Sequence, residues 1–310
     1  MSKNMEVGSA ILGSAIWGLT FIFIKPLVGL APAADVAFWR YFVSGCALLM
    51  FWFMKTGKFN FDIRDIKLLL ITSALGVFLY QVLCNIGVTM INGSHAGIIN
   101  GLVPVITVAL ERIVRKKKIS SLKKLSLGLS LVGILFIAQS GSSAKATGFN
   151  WGYILTLTGV TLWVIYSFIT ESLLEKYKGV ELIGYQSVIG ALMVIPYNII
   201  TEQRIISFDI FYTSEGVINL LLAALLSAGI GYGLYIRGVE KLGVSTMAFL
   251  LNIMPISALI AGYFILGEAI TINSIIGLGF ILVSVYLVLM DSKKPKQIKQ
   301  KKRKKLAIAN

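Results

Sequence analysis

Ten stretches of roughly twenty mostly apolar residues follow one another along this 310-residue chain. They run over 7–30, 35–54, 67–90, 93–112, 122–141, 150–174, 181–200, 217–239, 242–266 and 272–290. Each is long enough to cross a bilayer as a helix. In lipid the backbone must satisfy its own N–H and C=O groups, so a spanning segment is either a helix or a strand of a closed barrel. These runs are continuous and do not alternate over about ten residues, which argues against a barrel. The expected fold is an all-α membrane protein. Composition agrees: 56% of residues are hydrophobic and 14% charged, against about 25% charged in a soluble domain. The net charge of +15 would suit a nucleic-acid binder only in a far less apolar chain. Such hydrophobicity also excludes disorder. The 30 glycines suit helices that approach closely in lipid.

The basic residues are distributed unevenly. Clusters lie at Lys55–Lys67, Arg112–Lys124, Lys176–Lys178, Arg237–Lys241 and in the tail after Asp291. With ten spans, 25 of the 29 basic residues fall on one side; Lys25, Arg40, Lys145 and Arg204 fall on the other. The positive-inside rule then places both termini in the cytoplasm, in a multi-pass protein of the cytoplasmic membrane. The first span is too long for a signal peptide and lacks a basic lead and a cleavage site. Cys46 and Cys84 sit inside spans and read as small buried apolar residues. The tail, directly after a membrane helix, reads as a topology anchor beside anionic lipid. No nucleic-acid partner is expected. The sequence sets no oligomeric state and is compatible with a monomer.

The chain also repeats itself. Residues 83–137 align without a gap to positions 151 further on. Leu83, Gly87, Val88, Ser94, Pro104, Ile119, Leu127, Gly128, Leu131 and Val132 meet identical residues. An offset of 146 serves the first two spans, pairing Gly13 with Gly159, Trp17 with Trp163, Trp39 with Tyr185 and Arg40 with Gln186. Five spans is an odd number, so the second copy enters the membrane from the opposite face. The expected organisation is a first five-helix repeat over 1–146, an inverted second repeat over 147–291, and a basic tail over 292–310. Inverted repeats recur in secondary transporters, with the substrate site near the midplane between them.

Several motifs carry a family likeness. Ala15-Ile16-Trp17-Gly18, with Lys25 later in the span and Phe38-Trp39-Arg40 at the start of the next, resembles the EamA-type branch of the drug/metabolite transporter superfamily. So do Gly243-Val244-Ser245-Thr246, Pro255, Gly267-Glu268, Gly277 and Gly279. The resemblance covers residues 7–290. It implies a ten-helix inverted-repeat carrier working by alternating access, and it names no substrate. One departure is that Lys116 and Lys117 replace the glycine and acid expected at the end of span four; cytoplasmic placement favours positive charge there.

Candidate site residues come from shared helix faces. Gly13, Trp17, Thr20 and Ile24 line one face of span one; Gly159, Trp163, Tyr166 and Thr170 line one face of span six. Such stripes serve packing or a cavity, and two symmetry-related midplane tryptophans favour the cavity. Span three adds Tyr80, Gln81, Cys84 and Asn85; span eight adds Tyr232 and Tyr235; spans four and nine add Asn100 and Asn252. Pro104 and Pro255 are either hinges or static kinks. His95 is either a helix cap or a coupling residue. Lys25 and Arg40 either snorkel to the interface or draw an anionic group into the mouth. No Asp or Glu lies near a span centre, which disfavours a midplane proton carrier.

The expected function is therefore secondary transport, inward or outward, of a small organic metabolite such as an amino acid, amine or nucleoside. A lipid or lipid-linked flippase on the same fold, and a sugar-phosphate or nucleotide-sugar exchanger, are the alternatives. The latter needs clustered Lys/Arg donors. No metal motif, Cys/His cluster or glycine-rich phosphate loop is present, so neither an enzyme nor a cofactor is expected.

Overall fold

The computed structural model describes residues 3–90, 99–116, 118–139, 151–266 and 270–293. His95, Lys117, Lys145, Glu268 and the tail beyond 293 lie outside the described residues. Ten helical segments follow in order: α1 (Lys3–Leu30), α2 (Ala33–Thr56), α3 (Ile66–Ser73, continued by Tyr80–Met90), α4 (Val103–Val114), α5 (Ser121–Gln139), α6 (Trp151–Leu173), α7 (Gly179–Leu192, continued by Val194–Thr201), α8 (Ser214–Leu221, continued by Tyr232–Leu242), α9 (Val244–Leu250, continued by Met254–Leu266) and α10 (Ile272–Lys293). Among the described residues there is no strand. Eight of the segments are long and apolar enough to cross a membrane; α4 and α5 are described over 12 and 19 residues.

The interruptions have physical causes. Proline cannot donate to the fourth residue back, and its ring crowds that carbonyl. The break in α7 at Met193 precedes Pro196, and the turn at 101–102 precedes Pro104. The 3₁₀ turn Leu251–Ile253 precedes Pro255. Pro104 and Pro255 thus open the second part of their spans, where the missing N–H costs nothing. Two further interruptions are π-helical: Ala74–Leu79 in α3 and Leu222–Gly231 in α8. They are related by the 151 offset. Each inserts extra backbone into the helical period just before site residues, a placement often tied to function.

Helix pairing follows the repeat. α5 packs on α10 and α2 on α7; α3 packs on α6 as α8 packs on α1; α1 packs on α9 as α6 packs on α4. Exchanging each span for its partner five places on leaves this list unchanged, the signature of a pseudo-two-fold. At the α5–α10 contact two backbones touch: a Cβ on Gly277 would lie 2.5 Å from the Gly133 carbonyl oxygen. Gly277→Val should cost about 1–3 kcal/mol by overpacking, read as a lowered Tm in detergent; an unchanged Tm would show that these helices separate freely.

The outside of the bundle is apolar. Met50, Phe51, Met54, Phe264 and Tyr286 are exposed, and only 33–44% of each long span's most apolar window is buried. Such a surface belongs in lipid: this is a multi-pass integral membrane protein. Cys46 is exposed on this face rather than buried, and Cys84 is half-buried against Gly159. Both are free.

Candidate transport site

The face residues of α1 and α6 meet at the centre of the bundle. The Trp17 and Trp163 rings lie 5.6 Å apart, edge to face. Tyr235 is 4.9 Å from Trp17 and 5.5 Å from Trp163; Tyr232 is 5.7 and 5.9 Å from the same two. Tyr80 and Tyr166 approach Trp163 at 5.0 and 5.1 Å. These spacings are those of favourable aromatic pairs. Both π turns lead directly into this layer, at Tyr80 and at Tyr232. Gly76, inside the first, leaves room for the Tyr166 ring, which a Cβ would meet at 2.4 Å.

Buried phenols need partners, and those of Tyr166, Tyr232 and Tyr235 are supplied locally. Tyr232 donates to the Tyr166 hydroxyl, which donates to Gln186 Oε1 at 3.0 Å. Gln186 Nε2 donates to Thr170 Oγ1 at 3.1 Å. The Tyr235 and Ser167 hydroxyls are 2.9 Å apart. Trp17 Nε1 donates to the Ser227 carbonyl at 3.1 Å, and Thr20 donates to the Ser227 hydroxyl at 2.5 Å. Ser227 lies in the α8 π segment, where its carbonyl also accepts from Tyr232 N, so α1 docks on that segment through one residue.

Beside this layer a cavity of about 180 Å³ opens between α2, α3 and α7. Ala37, Tyr41, Gln81 and Asn85 line its inner part; Pro32, Glu202 and Arg204 lie at its mouth. Gln81 Nε2 donates to the Tyr41 hydroxyl at 2.8 Å. The Tyr41 ring is 6.3 Å from Tyr232, joining cavity and aromatic layer.

The described residues at the two ends of the bundle make different contacts. At the basic end, contacts join the two repeats. Arg115 pairs with Glu171, and Arg237 holds Glu6 through two bonds of 2.9 and 3.0 Å. Lys176 reaches Asp62 at 2.6 Å and Asp65 at 2.5 Å, and it holds the Asp62 carboxyl below its usual range. Lys123 bonds Ser245 at 2.8 Å and Glu111 at 3.2 Å. Among the described residues the mouth end carries one such centre. Asp35, fully buried, pairs with Arg204 and accepts from Ser207 N at 2.8 Å and Asn198 Nδ2 at 2.6 Å.

Asp35 has a counterpart. Glu181, 146 positions on and equally buried, accepts from Asn60 N at 2.5 Å and from the Tyr185 hydroxyl at 3.0 Å. Their aromatic neighbours match too. Trp39 packs on Phe208 and Phe211, and Tyr185 packs on Phe59 and Phe61. Each repeat thus clamps the loop that follows the other repeat's α2-type helix.

Of the residues singled out in the sequence, Trp17, Thr20, Tyr80, Trp163, Tyr166, Tyr232 and Tyr235 come together at the centre, and Gln81 and Asn85 line the cavity. Two do not join them. Asn100 is exposed just before α4. Asn252 is buried but spends its amide on Ser130 of α5, as a helix–helix contact. The side chain of Lys25 lies outside what is described, as does His95. Arg40 does not snorkel: it is 7% exposed, with its guanidinium carbon 5.1 Å from the Tyr41 ring centroid. The face argument missed Tyr41, Gln186, Asp35 and Glu181. The 146 offset, already pairing Arg40 with Gln186, would also have paired the two acids.

The comparisons agree with this architecture. The model of the EamA-like transporter family matches residues 4–139 and again 150–290. An uncharacterized transporter of Bacillus subtilis, YyaM, is 23% identical over 287 residues, covering 91% of this chain and 93% of its own. A probable terminal-alkyne amino-acid exporter of Streptantibioticus cattleyicolor is 24% identical over 225 residues, covering 73% of each chain. A crystal structure sharing 13% identity superposes with a TM-score of 0.79 over 96% of this chain and 100% of its own. On two matches that together span nearly all the described helices, this chain belongs to the EamA-like transporter family.

Proposed function

We propose that the protein carries a small organic metabolite across the cytoplasmic membrane by rocking its two five-helix repeats, 1–146 and 147–291, about the central aromatic layer. The observation that carries this reading is the Trp17–Trp163 contact. Two residues equivalent in the repeat meet at the bundle centre, where a carrier of this symmetry places its substrate. With the basic end taken as cytoplasmic, the conformer is outward-facing: the cavity runs from the other end to Tyr41 and Gln81, while inter-repeat ion pairs close the inner end. Alternation requires those pairs to break as the Asp35 centre closes over the cavity. Pro104 and Pro255, each opening the second half of its span, are the natural hinges. The tail would rest on anionic lipid. A metabolite of neutral or zwitterionic character fits a layer of aromatic faces and amides. A sugar phosphate fits less well, since the described centre offers Arg40 as its one cation. The Streptantibioticus relative, named a probable terminal-alkyne amino-acid exporter, points the same way.

The test is counterflow in proteoliposomes with labelled amino acids, amines and nucleosides. Accumulation driven by trapped substrate supports the reading. Translocation of a labelled lipid headgroup without any metabolite flux would replace it with the flippase.

A further inference from the structure

We propose that the substrate bears a single carboxylate and that Arg40 binds it, the rest of the molecule lying against the aromatic layer. This rests on the carrier reading above and names its substrate class. Arg40 is more than nine-tenths buried, its Nε has no partner, and among the described residues no carboxylate or carbonyl bonds its guanidinium. A buried charge without a counter-charge is costly. The described buried acids are committed elsewhere: Glu6 to Arg237, Asp35 to Arg204, Glu111 to Lys123 and Glu181 to Asn60, as is half-buried Glu171 to Arg115. The repeat sharpens the contrast. At the equivalent position Gln186 is closed by Tyr166 and Thr170, so one repeat satisfies its polar group internally and the other leaves a cation open. Arg40 lies behind the cavity wall, reached through Tyr41, a lining residue whose ring centroid is 5.1 Å from its guanidinium carbon. A planar fork of donors matches a carboxylate in two parallel hydrogen bonds. One guanidinium balances one carboxylate and leaves a phosphate dianion under-compensated. If the ligand also carries an ammonium, the Trp17 and Trp163 faces supply its contact.

The experiment uses the purified full chain and three probes of one shape: 3-phenylpropionate, phenylalanine and phenylalaninamide. Thermal shift gives the affinity of each. Both acids should stabilise the wild type, and phenylalaninamide should bind at least tenfold more weakly. Arg40→Met should abolish the response to the acids and raise the ligand-free Tm by a few degrees, because it removes an uncompensated charge. Arg40→Lys should keep a weakened response to them. Equal binding of the amide, unchanged acid binding by Arg40→Met, a lowered ligand-free Tm in Arg40→Met, or no response to any probe would each overturn the proposal. The carrier reading is judged separately. Metabolite counterflow that depends on Trp163 but not on Arg40 would keep the carrier and discard the carboxylate.

Discussion

Trp163→Phe should lower transport at least tenfold while leaving the Tm within a few degrees of wild type. Trp163 contacts five other aromatic rings at 5.0–5.9 Å, so any substrate entering that layer must meet its indole. Phenylalanine keeps a ring in place and loses contact area. A tenfold effect corresponds to about 1.4 kcal/mol, near the upper range for one aromatic pair. Trp163→Ala is a blunter change. The side chain is 5% exposed, and its removal opens a cavity costing about 3–5 kcal/mol, so loss of transport there mixes with loss of fold. Trp17→Phe should act like Trp163→Phe, with the added loss of the bond to the Ser227 carbonyl. Initial rates in proteoliposomes decide it. Wild-type rates in both phenylalanine variants would remove the aromatic layer from the substrate path.

Asp35→Asn should destabilise the protein by about 3 kcal/mol. Removing one partner of a buried ion pair typically costs about 3–5 kcal/mol. The lower end applies here because the Arg204 side chain keeps 30% exposure and its charge can turn to solvent. The new amide group would also face Ser207 N and Asn198 Nδ2, both donors. Glu181→Gln should cost less, since its described partners, Asn60 and Tyr185, carry no charge. The double variant Asp35→Asn/Arg204→Gln should be less destabilised than the two single losses combined, because neither charge is then left alone. Thermal unfolding in detergent of these three variants and of Arg204→Gln alone gives the values. An unchanged Tm in Asp35→Asn would mean that the mouth-end contact carries no stability in this state.

Some of the site was legible because it depends on identity and order. Trp17 and Trp163 are midplane tryptophans at equivalent positions, and both facts are visible in the chain. Asn100 and Asn252 lie apart from the central layer for a physical reason. A face argument counts residues along an uninterrupted 3.6-residue period. The turn before Pro104 and the 3₁₀ turn before Pro255 reset that count, so a polar residue next to either break points elsewhere. The π segments reset it as well, yet they deliver Tyr80 and Tyr232 to the centre. Nothing in Ala74–Leu79 or Leu222–Gly231 marks those residues as π-helical. Asp35 and Glu181 were passed over because an acid at a span end reads as interfacial. Burial of their carboxylates by the opposite repeat depends on loops 60 and 207, which are far off in sequence.

By itself, then, the sequence determined the helices, their number, the doubling of the chain and the side on which its charge collects. These follow from local hydropathy and from counting, and lipid allows a backbone few other solutions. Only the tertiary structure decided that a cavity opens between α2, α3 and α7 and that, among the described residues, Arg40 is buried without a counter-charge. Those properties depend on distances between residues of different repeats. The same inverted repeats can pack in more than one relative orientation, and hydropathy is identical in all of them.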